Sequence, residues 1–258
     1  MFDDFKYLFA YTVPLATFFS IFSDGILTFI TPIYTFIFIP TLEAILKERE
    51  TKTIYSENQI QNKLTNKIFD YLLYGNIPMV FILLISGIYI LSNNSLMTYE
   101  AIGISLSLGI LLATNAINVA HELGHRKSIL DRTLSKILLI PCLYMHFYLE
   151  HNFGHHKNVA TPEDPATSRY NQTVYSFWIT SVFNQYLNAW KIQKDILTRS
   201  KKDFFSFQNE MIWYHLIQFV YLSLIYSLFG LNGLIYAVIT GIISFLFLET
   251  INYIEHYG

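Results

Sequence analysis

The side chains able to do chemistry in this 258-residue chain are concentrated in eight histidines, and six of them fall in three short motifs. The first motif is His121-Glu122-Leu123-Gly124-His125. Two histidines at i and i+4 project from one helical face, close enough for both imidazoles to ligate one ion. Taken alone, this spacing is also that of a zinc protease with Glu122 as general base. The second motif, Glu150-His151-Asn152-Phe153-Gly154-His155-His156, repeats the i, i+4 pair and adds an adjacent histidine, about 100° further round a helix. Adjacent imidazoles on different faces suit two metal centres better than one. Five clustered histidines also exceed the three protein ligands and one water of a catalytic zinc. Neutral imidazole serves iron, zinc, copper or nickel, so ligand type alone leaves the metal open. In the third motif, Glu249, Asn252 and His256 fall at i, i+3 and i+7 on one helical face.

The elements that must position these residues read as membrane helices. With 53% hydrophobic and only 14% charged residues, the composition excludes an ordinary soluble domain. A formal net charge of −2 argues against a nucleic-acid partner, and the lone Cys142 excludes an internal disulfide or a thiolate cluster. Apolar runs near the roughly 20 residues that span a bilayer occur at about 7–22, 26–46, 71–91, 101–119, 211–229 and 234–251. Ser23-Asp24-Gly25, Asn93-Asn94-Ser95 and Gly230-Leu231-Asn232-Gly233 join them in pairs. The predicted architecture is an all-α integral membrane protein, a single domain of six transmembrane helices in three hairpins with a cytoplasmic histidine-rich segment at 120–210. All seventeen Lys and Arg residues lie at Lys6, between Lys47 and Lys67, or between Arg126 and Lys202, and none lies in the three turns. The positive-inside rule therefore places the N-terminus and the histidines in the cytoplasm. The first apolar run reads as a retained helix, because the acidic N-terminal residues are followed by no small-residue cleavage site.

Within the cytoplasmic segment, Leu134 to Leu149 is too short to span and contains Pro141, so it is predicted to be re-entrant or to lie on the membrane surface. Lys191 to Asp203 reads as a solvated charged stretch. Thr114 and Asn118 extend the His121 stripe into the apolar helix, where polar groups need partners inside the bundle.

Three stretches carry a family resemblance. They are Asn118 to Arg126, Glu150 to Arg169 (including Val159-Ala160-Thr161-Pro162-Glu163-Asp164-Pro165) and Asn252-Tyr253-Ile254-Glu255-His256-Tyr257-Gly258. Together they resemble the signature boxes of the membrane alkane monooxygenases, within the membrane fatty acid desaturase and hydroxylase superfamily. The resemblance implies a non-haem di-iron centre in a cell (inner) membrane enzyme. There, two iron ions and O2 hydroxylate the terminal carbon of medium or long n-alkanes taken from the bilayer. It implies electrons from rubredoxin and an NAD(P)H-dependent rubredoxin reductase. Carried over by motif, His121, His125, His151, His155, His156 and His256 would ligate iron, and His146 would lie beside the site. Asn118, Glu122, Glu150, Asp164, Asn252 and Glu255 would be candidates to orient the imidazoles. His215, with no motif around it, reads as an interfacial residue.

Relatives of this kind carry a further histidine-rich box after the Asn252 to Gly258 motif, so the chain is expected to be a fragment whose metal pair lacks ligands on one side. Two other readings stay open: a related di-iron enzyme acting on fatty acyl chains or an aromatic methyl group, and a non-enzymatic membrane fragment that binds metal weakly. Redox metal chemistry follows from the substrate in any case, because no acid, base or nucleophile of a protein attacks an unactivated C–H bond.

Overall fold

The computed structural model describes residues 2–46 and 66–257, with side chains from Tyr7 onward. The basic residues from Lys47 to Lys63, together with Lys6, therefore lie outside the described side chains. Among the described residues the fold is helical, with no strand and one isolated parallel bridge between Ser168 and Tyr257. Helix α1 (Thr12–Ile21) follows a 3-10 turn. Then come α2 (Gly25–Leu46), α3 (Ile68–Asn93) and α4 (Thr98–Gly124). α5 (Ile129–Leu139), α6 (residues 147–158) and α7 (Val174–Arg199) lead to α8 (Glu210–Glu255).

Helices α2, α3, α4 and α8 are long and apolar enough to cross a membrane. The first predicted span yields only a 15-residue apolar helix, Tyr7–Ile21, wound partly as 3-10. α8 has 46 residues, about 69 Å if straight, more than twice a bilayer core. It is not straight, because Gly230 takes φ 66° and ψ −163°, a conformation that a side chain would resist. Its two arms both reach neighbouring residues of α7: Tyr186 meets His215 at 2.9 Å and Gln185 meets Glu249 at 2.9 Å. A straight helix would hold His215 and Glu249 about 50 Å apart, so α8 folds back at Gly230. The turn expected over Gly230 to Gly233 contracts to Gly230 itself, and Gly233 is already helical.

Polar contacts inside the bundle fix how the helices meet. Glu100 accepts the backbone N–H of Met97 at its own helix start (2.8 Å) and that of Gly25 at the start of α2 (2.6 Å), tying two turns together. Thr31 of α2 bonds Ser20 of α1 at 2.9 Å, and Asn115 of α4 bonds Asn76 of α3 at 2.8 Å. Such bonds join helices where the apolar surroundings offer no competing water.

The Leu134 to Leu149 segment is not one continuous helix. α5 ends at Leu139, residues 140–146 run through turns with Leu143 at φ 54°, and Leu138, Leu139, Cys142, Tyr144, Met145 and Phe147 are buried in the core. Its apolar side chains pack against neighbouring helices, and Pro141 stops the helix that would otherwise have continued. A buried carboxylate anchors this packing. Glu249, with no exposed surface, accepts from Tyr144 Oη (3.1 Å), Ser181 Oγ (2.6 Å) and Gln185 Nε2 (2.9 Å). Those donors come from the 140–146 turns and from a polar stripe at i and i+4 of α7. Glu249→Leu leaves the buried Tyr144 and Ser181 hydroxyls without their acceptor and should cost about 2–4 kcal/mol. The check is a lowered thermal unfolding midpoint of the purified protein, followed by tryptophan fluorescence.

Candidate metal centre

The histidines of the first two motifs converge where the end of α4 meets α6. Ligand-capable nitrogens of His121, His125, His151 and His156 all lie within 4.8 Å of one another. Ring centroids are 4.4 Å apart for His121 and His151, 4.7 Å for His125 and His156, and 4.5 Å for His151 and His156. The pairing within the second motif differs from the i, i+4 expectation. Residues His151–His155 are wound as a π-helix, and the backbone N–H of His156 donates to the His151 carbonyl, five residues back. In that winding i and i+5 share a face, so His156 joins His151 in the group of four, while His155 stacks on His151 at 5.1 Å and 23° with its Nδ1 turned to Asp164. π-Turns are rare and recur at functional sites, and a second one, Leu112–Ile117, lies just upstream of His121.

Gly154 sits against α7 within the π-turn. A Cβ there would stand 2.7 Å from Glu150 Oε1 and 2.9 Å from the side-chain ends of Asn188 and Ile192, so a larger residue would have to displace all three.

His155 leaves the four-membered group for a second one. Its Nδ1 donates to Asp164 at 3.0 Å, which keeps Nε2 bare, and its ring lies 5.0 Å from that of His256. Asp164 is itself held by Thr167 Oγ1 (2.6 Å) and the Ala166 N–H (3.1 Å). The same loop grips the end of α8, because Ser168 donates through its N–H and its hydroxyl to the His256 carbonyl at 3.2 and 3.1 Å. Tyr253 reinforces that grip by donating to the Gln172 carbonyl at 2.6 Å.

The electrostatics favour neutral, ligand-ready rings at His151 and His156. Burial pushes the His151 imidazole down to about 2, with the neighbouring histidines adding to it. Burial, then His125 and His155, also lowers His156. His151 Nε2 is buried without any hydrogen-bond partner, and Nε2 of His125 and His156 lie only 3.2 Å apart. Close-set imidazole nitrogens, one of them orphaned, fit a metal ion, which would satisfy that acceptor. His155 behaves differently: burial opposes its charged form, but the Asp164 bond and charge outweigh burial and raise it. Burial likewise opposes the Asp164 anion, and its bonds to His155, Thr167 and Ala166 win and lower it. Burial raises the Glu150 carboxyl to about 7 against the pull of its 3.0 Å bond from Asn188.

The remaining expected residues scatter. Exposed Glu122 faces Arg126 at 3.5 Å instead of the imidazoles. Asn118 is exposed and lines a cavity. Asn252 bonds the Glu249 carboxylate, and Glu255 is exposed. His146 is buried beside Tyr144 and Tyr186, with its Nε2 unpaired. His215 stays outside the cluster. Sequence reasoning placed Glu249 on the His256 face without its partners and missed Asn188 and Ser168 as supports of the site. The polar stripe Ser181, Gln185 and Asn188 on an otherwise amphipathic α7 was the available signal.

A cavity of about 920 Å³, mostly apolar, opens among α1, α2, α3 and α4. Val13, Phe38, Leu42 and Leu72 are among its walls. It extends to Asn118 and Glu122, the residues on either side of His121 along α4.

Residues 98–258 match the fatty acid desaturase family, and the chain belongs to it. Within it, the chain is 34% identical over 220 residues to an alkane 1-monooxygenase of Pseudomonas putida, covering 85% of this chain and 54% of that protein. It is 35% identical over 228 residues to an alkane 1-monooxygenase of Acinetobacter baylyi, covering 88% and 55%. A more distant relative is the hydroxylase component of the Pseudomonas putida xylene/toluene monooxygenase, 28% identical over 159 residues, covering 62% and 43%. The chain thus spans about half the length of the curated relatives it matches.

Asp164→Asn tests how His155 is held. In the metal-free protein, a His155 raised above the ordinary value of about 6.5 contributes stability at lower pH that is lost as pH rises through the raised value. The variant should move the His155 titration midpoint down, read by NMR of the imidazole C2 proton. It should also weaken Co²⁺ binding about 10–100-fold, read by d–d absorbance.

Proposed function

We propose that this chain carries the membrane and metal-binding core of an alkane 1-monooxygenase, which hydroxylates the terminal carbon of medium or long n-alkanes with O2. The observation that carries the reading is the convergence of His121, His125, His151 and His156, with ligand atoms within 4.8 Å of one another, beside an apolar cavity. These four would hold one iron, and His155 with His256 would supply ligands to a second. Bound there, a non-haem di-iron centre supplies the O2 activation that side chains lack. Electrons would come from rubredoxin and its NAD(P)H-dependent reductase. The six-span, three-hairpin topology, with the histidines at the cytoplasmic face, belongs to the same reading. The whole gene product, with any continuation beyond these residues, is the unit to which the activity is assigned.

Each residue then has a part. The walls of the cavity accept an apolar chain by burying its surface, and they hold it along α4 toward His121. Asp164 holds the Nδ1 proton of His155 and leaves Nε2 free to ligate. Glu150, accepting from Asn188 at 3.0 Å, would fix α6 against α7 just before His151 and His155. Glu249 keeps α7, α8 and the 140–146 turns in register beneath the rings.

Membranes containing the whole gene product, supplied with rubredoxin, reductase, NADH and ¹⁸O2, should convert n-octane to 1-octanol carrying one ¹⁸O. Exclusive oxidation of acyl chains or of xylene would replace the substrate in this reading. His155→Ala should abolish turnover while leaving membrane insertion intact, measured by carbonate extraction; retained turnover would remove His155 from the ligand set. Val13→Trp, which fills the cavity, should lower kcat/KM for the longest accepted alkane about tenfold or more and spare shorter ones. Gas chromatography across a chain-length series reads that shift.

A further inference from the structure

A continuous series of aromatic rings leads away from the histidine cluster, and two of its members form a tyrosine–imidazole pair. Phe147 stacks on His151 with centroids 4.8 Å apart and on Tyr144 at 6.3 Å. Tyr144 meets His146 at 4.3 Å, and His146 meets the edge of Tyr186 at 5.4 Å. Beyond Tyr186, His215 stacks on Trp190 at 5.6 Å and 26°, and Trp190 stacks on Phe204 at 5.7 Å and 23°. Phe204 is 42% exposed, so the series ends at the surface.

The tautomer of His215 is fixed. Its Nδ1 lies 2.6 Å from the Met211 carbonyl, which can only accept, so Nδ1 carries the proton of the neutral ring. Nε2 is then a bare acceptor, and the Tyr186 hydroxyl donates to it at 2.9 Å. A phenol oxidised to its neutral radical must shed a proton with the electron, and a fixed imidazole acceptor on that hydroxyl provides for both at once.

We propose that Tyr186 and His215 are a redox-active pair that drains oxidising equivalents from the histidine cluster to Trp190 and the surface when no substrate occupies the cavity. The proposal rests on the reading of the cluster as an O2-activating metal centre. In the step, Tyr186 gives one electron through His146, Tyr144 and Phe147 to an oxidising equivalent at the cluster. Its hydroxyl proton passes to His215 Nε2, leaving a neutral tyrosyl radical and an imidazolium. Trp190 then returns an electron to Tyr186 and His215 returns the proton. The oxidised Trp190 is reduced by a one-electron donor in solution, such as a thiol. One electron enters for each that leaves, and the pair ends unchanged.

The test uses the whole gene product with 3,5-difluorotyrosine at position 186, so that a radical there shows fluorine hyperfine splitting in freeze-quench EPR. Two arms are run. In the first, iron content is measured and the loaded protein is mixed with O2 without alkane. In the second, the metal-free protein is photo-oxidised by a ruthenium tris-bipyridyl complex with a cobalt(III) quencher. The fluorine-split signal is expected in both arms and should be suppressed by alkane in the first. Trp190→Phe should delay its decay in the first arm and remove its fast formation in the second. His215→Phe, which keeps a ring against Trp190 but removes the acceptor, should lower its yield. Iron bound with no fluorine-split signal in either arm overturns the relay and leaves the metal reading standing. No iron bound overturns the metal reading, and the second arm alone then decides whether Tyr186 and His215 form a redox pair.

Discussion

The centre depends on one constraint: several unprotonated imidazoles must face the same small space. Any two of them charged would repel, and rings left in water would turn away to find donors. Burial resolves both difficulties by keeping His151 neutral and denying its Nε2 a partner. The surrounding fold can be read as the means of forcing that arrangement. α4 brings two rings as it ends, α6 brings two more on a π-turn, and Gly154 lets α6 lie close enough to α7 for Glu150 and Asn188 to lock its position.

A second layer of buried polar bonding holds the rings' supports together without touching the rings. Glu249 joins α8 to α7 and to the turns before α6. The loop from Val159 to Thr173 joins Asp164 to His155 and Ser168 to His256. Three distant stretches of chain are thereby held at one end of the helical bundle. The turns capped by Glu100 are far from them in sequence and secure the starts of α2 and α4. The apolar cavity lies among the membrane helices and meets the histidine region at Asn118 and Glu122.

Much of this was legible in residue order. Apolar run lengths located α2, α3 and α4 and both arms of α8 to within a few residues, because lipid-facing helices leave long uncharged stretches. The histidine motifs marked the site, because ionisable residues in such a chain are costly and few. The burial of the 134–149 stretch was not legible, because an apolar run covered by protein and one covered by lipid look alike in composition. The winding of α6 was also hidden: i, i+4 spacing assumes α-geometry, and nothing in His151-Asn152-Phe153-Gly154-His155 announces five-residue hydrogen bonds. His215 sat outside any histidine motif, and the motif holding Glu249 did not reveal its bonding, so the partners of both emerged only with the packing of α7.

Sequence by itself determined the helical, membrane-compatible class, the family and the identity of the metal-capable side chains, since these follow from composition and from motifs local in the chain. Tertiary structure decided which imidazoles share a space. His156 joins His151 in the group of four because a π-turn changes the angle between successive side chains, while His155 stays stacked on His151. His155 turns to Asp164 because the 159–173 loop is tied to the end of α8. Those choices depend on contacts between residues far apart in the chain, and such contacts exist only once the helices have packed.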